Sequence, residues 1–328
     1  MTDRDGTDVV AVRTLLAGWG IHAVHDVRAT ASEADRTFLV ATDTGVVVLK
    51  QSPSGSLAPA MQAALLNAAQ RGAAELPVPR LLPHLVTGGP LSPDGTAFVS
   101  TLCPGRPLES VAPKDAYIDA IADAQALLLA ALETVDAAAS HVPDTNEWSL
   151  DAVVRHEPLI DRHLAERHRS AAHSIVANYR ALAETALPAL AHQVIHADFN
   201  LSNLLVHDGR LSGIIDFGDA VRAPRIFDVA VTAAYLALWA GSLESPLVAR
   251  YIDRVGQRAA LTCDEMAALP VLVRCRIVMV LALGRHTAER RPDRAEYQLR
   301  YDALAERAFD DALALSPSGP HPQRKKHQ

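Results

Sequence analysis

Lysine is nearly missing from this chain of 328 residues: of 31 lysines and arginines only four are lysine, namely Lys50, Lys114, Lys325 and Lys326. In an arginine- and alanine-rich composition of the kind codon bias produces, a surface lysine drifts easily to arginine. Lys50, at the end of an apolar strand-like run, therefore stands out. Cysteine is scarce too. Cys103, Cys263 and Cys275 lie far apart with no CxxC pair, which argues against a disulfide framework or a zinc site and fits a reducing cytoplasm. No apolar run reaches the ~18–20 residues needed to cross a bilayer. The longest, 229–241 and 271–284, are shorter, and the second carries Arg274 and Arg276; both are expected to be buried helices, with no membrane partner. The first eight residues are acidic and no apolar segment follows directly, so no secretory signal is expected. A basic excess is also lacking. The net charge of −7 leaves no electrostatic footprint for nucleic acid.

What is present is ordinary globular material, with 49% hydrophobic and 21% charged residues, which excludes wholesale disorder and fibrous architectures. The length suits two lobes around real cores. Helical periodicity at 8–18 gives way to a β-rich stretch. Phe38-Leu39-Val40-Ala41 and Val46-Val47-Val48-Leu49-Lys50 flank a Thr-Asp-Thr-Gly turn and predict a hairpin. A helix at 58–71, a break at Leu76-Pro77-Val78-Pro79 and a β segment at 96–100 follow. Beyond Pro113, apolar stripes predict helices at 115–135 and 171–187. A β interlude then runs through Val194-Ile195-His196, Leu204-Leu205-Val206 and 211–216, with Asp208-Gly209 as its hairpin turn. Helix resumes from Asp228 to about 313. The expected architecture is α+β: a β-rich lobe over 1–101, a mostly helical lobe over 102–315 with one small embedded sheet, and a disordered tail at 316–328.

Chemistry concentrates in that interlude. Asp198 follows a short strand within His196-Ala197-Asp198-Phe199-Asn200-Leu201-Ser202-Asn203, and Asn203 opens the next strand. Thirteen residues later the following strand ends in Asp216-Phe217-Gly218-Asp219. This arrangement predicts three polar side chains at one edge of one sheet. Phosphoryl transfer needs such a set: a carboxylate to orient an attacking hydroxyl, and an amide oxygen with a second carboxylate to hold Mg²⁺, which favours a few hard oxygen ligands.

The order HxDxxxxN then IDFGD resembles the catalytic and metal-binding segments of the aminoglycoside phosphotransferase and choline kinase family, small-molecule relatives of the protein kinases. The likeness extends over most of the chain, through the turn at 32–40, the Val-Val-Val-Leu-Lys strand, Leu-Pro-Val-Pro-Arg at 76–80 and Cys103-Pro104-Gly105-Arg106-Pro107-Leu108. The Asp-Phe-Gly-Asp ending and Phe227-Asp228-Val229-Ala230 look closest to the hydroxylysine-kinase-like branch. The resemblance implies a bilobal protein-kinase-like fold, ATP or GTP as co-substrate, Mg²⁺ as cofactor and a small-molecule acceptor as the other partner. Carried over residue by residue, Asp198 is the catalytic base, Asn203 and Asp216 bind the metal, and Lys50 contacts the phosphates. Ser32 in the covering turn, Gln62, Ser100 and Leu102 belong to the nucleotide site. His196 and Asp228 support the catalytic loop, Asp228 also as a helix N-cap, and Asp219 is a candidate for the acceptor's amine.

Two departures stand out. Residues 51–74 contain no acid to pair with Lys50, so Gln62 is the candidate tether, and no glycine-rich loop covers the phosphates. The implied reaction is phosphorylation of a hydroxylysine-like, amine-bearing metabolite. Alternatives are an aminoglycoside or other antibiotic acceptor, for which Asp302, Glu306, Asp310 and Asp311 could form an acidic wall; homoserine, choline or ethanolamine; and an idle nucleotide-binding scaffold. An aromatic content of 5% offers little for a choline cage. The arginines at 274, 276 and 285 fall on one expected helix, Arg274 and Arg285 sharing a face eleven residues apart, and are candidates for an anion or carboxylate site against the default of a solvated or ion-paired surface. The histidines, His163 and His168 among them, are scattered without ligand spacing.

Overall fold

The computed structural model describes residues 9–30 and 35–314. Helix α1 (Val9–Leu16) leads into a four-stranded antiparallel sheet of β1 (Val24–Ala29), β2 (Arg36–Thr42) and β3 (Gly45–Gln51), with β4 (Ala97–Thr101) entering after α2 (Ala58–Gly72). The order is β1-β2-β3-β4, and Lys50 stands opposite Thr37 on one side and Phe98 on the other. Strand alternation explains the two faces. Phe38, Val40, Val47, Leu49 and Val99 point into a small core closed by Val12, Leu16 and Trp19. The opposite register of β3 turns Lys50 away from that core.

Helix α2 packs into the larger core, against α3 (Asp115–Glu133). A Cβ at Gly72 would lie 2.6 Å from Ala131 Cβ, so this approach requires glycine. β5 (Arg106–Pro107) precedes α3; α4 (Glu157–His163) and α5 (Glu166–Thr185) follow it. The interlude is not the single sheet expected. β6 (His192–Ile195) pairs with β9 (Val221–Pro224), while β7 (Leu204–His207) and β8 (Arg210–Ile214) form a sheet with β5. The chain leaves β6 through Ala197 at φ 62° and cannot run alongside β7. Asp198 and Asn203 therefore meet across two small sheets, not at one edge of one.

The remaining chain is helical: α6 (Ile226–Ala240), α7 (Pro246–Arg258), α8 (Cys263–Arg290), the short α9 (Ala295–Gln298) and α10 (Asp302–Ala314). α8 has 28 residues, twice the apolar run seen in the sequence, because it starts upstream at a capping box and continues through Pro270. Thr262 Oγ1 accepts from Glu265 N at 3.2 Å, and Thr262 N donates to Glu265 Oε2 at 2.7 Å. By length and composition α8 could cross a bilayer, but most of its apolar window is buried inside the protein. α3 and α7 are joined by a ladder at helical spacing, in which Arg250 holds Asp119, and Arg254 and Arg258 hold Asp123 at 2.8–2.9 Å.

Candidate active site

The loop after β6 is built on a strained residue. Ala197, at φ 62°, lacks glycine's freedom, and its N–H donates to Asp228 Oδ1 at 2.7 Å. Asp228 lies inside the first turn of α6, not at its N-cap, and is fully buried, with Oδ2 unpartnered. Burial lifts its carboxyl above the usual range, with His196 opposing. His196 is also fully buried. Its Nε2 donates to Ile215 O at 3.1 Å, so Nδ1 is left to accept the Asp198 N–H at 3.3 Å. Burial holds the imidazole below the ordinary histidine range, so the ring is neutral. One histidine thus ties the Asp198 loop to the strand end carrying Asp216, and its ring lies 4.7 Å from that of Phe217.

The Asp198 carboxylate is caged. Oδ1 accepts from Asn200 Nδ2 at 2.7 Å, and Oδ2 from Asn203 Nδ2 at 2.7 Å. Arg276 Nη2, from the middle of α8, reaches Oδ1 at 3.3 Å. Arg276 is 1% exposed; Nη1 donates to Trp148 O at 2.6 Å and the guanidinium lies 5.0 Å from the Trp148 ring centroid. Burial pushes the Asp198 carboxyl up to about 6, while Arg276 and the Asn200 hydrogen bond pull the other way.

Asp216, also left-handed at φ 64°, accepts from Lys50 Nζ at 3.0 Å. Burial opposes its ionised form, but the Lys50 ammonium wins and holds the carboxyl below its usual range. Lys50 Nζ also donates to Gln62 Oε1 at 3.1 Å, and Gln62 Nε2 donates to Asp35 Oδ2 at 2.8 Å. The acid missing from α2 is thus supplied by the covering segment before β2, relayed through an amide. A Cβ at Gly218 would lie 3.4 Å from Asp216 Oδ1 and 3.7 Å from Gln62 Nε2, in ordinary van der Waals contact with this junction.

The structure brings Asp198, Asn203, His196 and Asp228 into one network, and Lys50, Gln62 and Asp216 into another, bridged by His196. Ser100 is buried in β4, opposite Val48 and bridged to Leu81, whereas Leu102 lies past the strand end and is exposed. Ser32 lies outside the described residues. Asp219 is half-buried, and its carbonyl accepts from Asn146 Nδ2 at 2.7 Å. The anion site on Arg274 and Arg285 does not form. Arg274 bonds its own helix at Pro270 O, while Arg285 is held by Asp302 at 2.6 Å and Glu306 at 3.0 Å. Those pairs occupy half of the expected acidic wall. Asp310 is taken by His168 and Arg167, and the Asp311 side chain lies outside the described residues. His163, read as isolated, meets His286 at 3.3 Å and Glu289 at 3.5 Å, with Arg162 also on Glu289 at 2.8 Å.

Asn200 and Asp35 were not singled out as site residues, and Arg276 only as one of three arginines on an expected helix. Asn200 sits inside the motif at a position whose side chain could face either way. Arg276 is 78 residues from Asp198 on a different element, and no local pattern reveals that contact.

For a divalent cation the donor set fits. Asp216 is a half-exposed carboxylate, and both recorded contacts of the Asn203 side chain use Nδ2, leaving the amide oxygen as the hard donor.

Comparison with known proteins matches residues 26–269 to the phosphotransferase enzyme family. The chain is 31% identical over 131 residues to hydroxylysine kinase of Danio rerio, a match covering 38% of this chain and 36% of that protein. It is 26% identical over 265 residues to homoserine kinase of Methylobacillus flagellatus, covering 79% of each. Among solved structures, amicoumacin kinase hAmiN in complex with AMP-PNP, Ca²⁺ and Ami has a TM-score of 0.61 at 14% identity, over 93% of this chain and 94% of that one; at that identity the likeness shows a shared α+β fold. With its catalytic-loop network, its Lys50–Asp216 pair and a family match over most of its length, this chain belongs to the phosphotransferase enzyme family.

Proposed function

We propose that the protein is a small-molecule kinase that transfers the terminal phosphate of ATP or GTP to a hydroxyl of an amine-bearing metabolite, hydroxylysine-like in the first instance. The observation that carries this reading is the Asp198 carboxylate. It is fixed by two amides and a buried arginine, and one histidine away from it a lysine–aspartate pair is suited to phosphate and metal.

In the proposed reaction Asp198 accepts the acceptor's hydroxyl proton as that oxygen bonds to the γ-phosphorus. The bond from phosphorus to the bridging oxygen breaks, and the nucleoside diphosphate leaves with the electron pair. Positioned bases of this kind contribute roughly 10²–10⁴ in rate. Lys50 would swing from Asp216 onto the α- and β-phosphates while Gln62 keeps its ammonium in the cleft. Asn203 and Asp216 would hold Mg²⁺, which when bound neutralises charge on the phosphate oxygens. Backbone groups around Ser100 and Leu102 would face the purine, with Leu102 on the open side. Asp219 would lie toward the acceptor's amine.

The homoserine kinase match, which runs over 79% of both chains, makes homoserine the second acceptor to test. The test is phosphate transfer with Mg²⁺ and either ATP or GTP to 5-hydroxylysine, homoserine, ethanolamine, choline and several aminoglycosides. Transfer to a hydroxylated amino acid or amino alcohol is expected. Transfer confined to aminoglycosides would instead establish an antibiotic kinase, and nucleotide binding without transfer to any of them would favour the idle scaffold.

A further inference from the structure

Among the described residues, five buried side-chain polar atoms have no hydrogen-bond partner, and two of them are guanidinium Nε atoms, of Arg276 and Arg300. Both arginines act on the Asp198 carboxyl, each favouring its charged form. Buried polar groups are normally satisfied, so an unsatisfied cationic N–H calls for a missing partner.

Arg276 is sealed beneath Trp148 and Tyr235. Arg300 is not sealed: it follows α9 and retains 24% side-chain exposure. Nη1 donates to Tyr297 O at 2.8 Å, Nη2 reaches Ser202 Oγ at 3.4 Å, and the guanidinium lies 3.8 Å from the Tyr297 ring centroid. Ser202 Oγ donates to Asn200 Oδ1 at 2.6 Å, and Asn200 in turn holds Asp198, so Arg300 adjoins the catalytic loop through two side chains. The nearest carboxylate, Glu109, stands 3.8 Å from Nε and accepts from the Tyr301 hydroxyl. Other arginines here close on their carboxylates: Arg225 on Glu265 at 2.7 and 2.9 Å, and Arg285 on Asp302 at 2.6 and 2.8 Å. Arg300 is held by Tyr297 and Ser202, its Nε buried 3.8 Å from Glu109, and it keeps part of its side chain exposed beside the Ser202–Asn200 contacts of the Asp198 loop.

We infer that the acceptor carries a carboxylate, and that Arg300 is the specificity-determining residue that takes it. This rests on the kinase reading and narrows it to hydroxylated amino acids, with Glu109 close enough to receive an ammonium on the same molecule. Two guanidiniums beside the catalytic carboxylate disfavour a polycation lacking a carboxylate.

The experiment compares acceptors differing only in that group: homoserine with 3-aminopropan-1-ol, and 5-hydroxylysine with 1,5-diaminopentan-2-ol. For the wild-type enzyme, kcat/KM should be at least about tenfold higher for the acid of each pair, the scale of one charge-assisted hydrogen bond. Arg300→Gln should lower the acid-over-amino-alcohol ratio of kcat/KM by a similar factor through KM for the acid, with any fall in kcat from the altered field at Asp198 common to both members of a pair, and Arg300→Lys should restore part of the ratio. Equal use of both members by the wild type, or equal loss on both in Arg300→Gln, overturns the inference. If nothing is phosphorylated, the kinase reading fails and calorimetry with homoserine, nucleotide and Mg²⁺ decides the site separately. Binding lost in Arg300→Gln retains the carboxylate site, and no binding to the wild type removes it.

Discussion

At the scale of single residues the site depends on buried charge. Burial pushes the Asp198 carboxyl up to about 6, and Arg276 opposes that rise from the middle of α8. The sign follows directly. On the proposed role of Asp198 as general base, which works ionised, kcat/KM should fall as pH drops through the Asp198 titration, and removing the arginine should move that limb to higher pH. Arg276→Gln is expected to lower kcat by about tenfold or more, the cost of losing a charge-assisted contact to the reacting carboxylate. The pH–rate profile checks it: an unmoved acid limb would mean that Arg276 only packs against Trp148. That Asp198 and Asn203 meet could be read from the sequence, because the loop and strand end that carry them are a short separation apart. Arg276, Arg300 and Asp35 could not be, because each reaches the site from a distant element and only tertiary packing shows which way its side chain turns.

At the scale of elements, local patterning was legible wherever a face alternates between core and solvent, as in the β2–β3 hairpin, α2 and α3. It failed where pairing is non-local. β9, four residues around Arg222, has no strand signal of its own and exists because β6 needs a partner once Ala197 turns the chain away. Helix was expected throughout 228–313, but the start of α8 at the Thr262–Glu265 capping box was not delimited. The α3–α7 ladder carries its own expectation. Arg254 and then Arg258 hold the Asp123 carboxyl below its usual range against the effect of burial. A depressed folded-state pKa stabilises above the unfolded value near 4 and is lost as pH falls through the folded value. Asp123→Asn should therefore cost about 1 kcal/mol or less at pH 7, given the partial exposure of the pair, and almost nothing near pH 2. Thermal melts at both pH values test this; an equal cost at each would show that packing, not charge, sets it.

At the scale of the whole molecule, a small core under the sheet and a large core around α8 are joined through the contacts of Lys50. Lys50 belongs to the sheet, Gln62 to a helix packed in the large core, and Asp35 immediately precedes β2. Their chain of contacts joins the three parts where a protein kinase uses a direct lysine–glutamate pair. Gln62→Leu should leave the fold intact and raise the KM for nucleotide by roughly tenfold, one charged hydrogen bond. Steady-state kinetics with varied nucleotide checks it, and an unchanged KM would show that Asp216 alone positions the lysine. The two-lobed outline was legible in composition and periodicity; this coupling was not, because it joins residues of three elements that no spacing relates.

The central claim is that Asp198 carries out proton acceptance in phosphate transfer while other residues bind the nucleotide. The most direct measurement follows γ-labelled phosphate into acceptor and, in parallel, Mg²⁺-nucleotide binding by calorimetry, for the wild type and Asp198→Asn. The expected result is nucleotide affinity within a few-fold of wild type and transfer reduced by about 10²–10⁴. Transfer that persists at wild-type rate in Asp198→Asn would contradict the account.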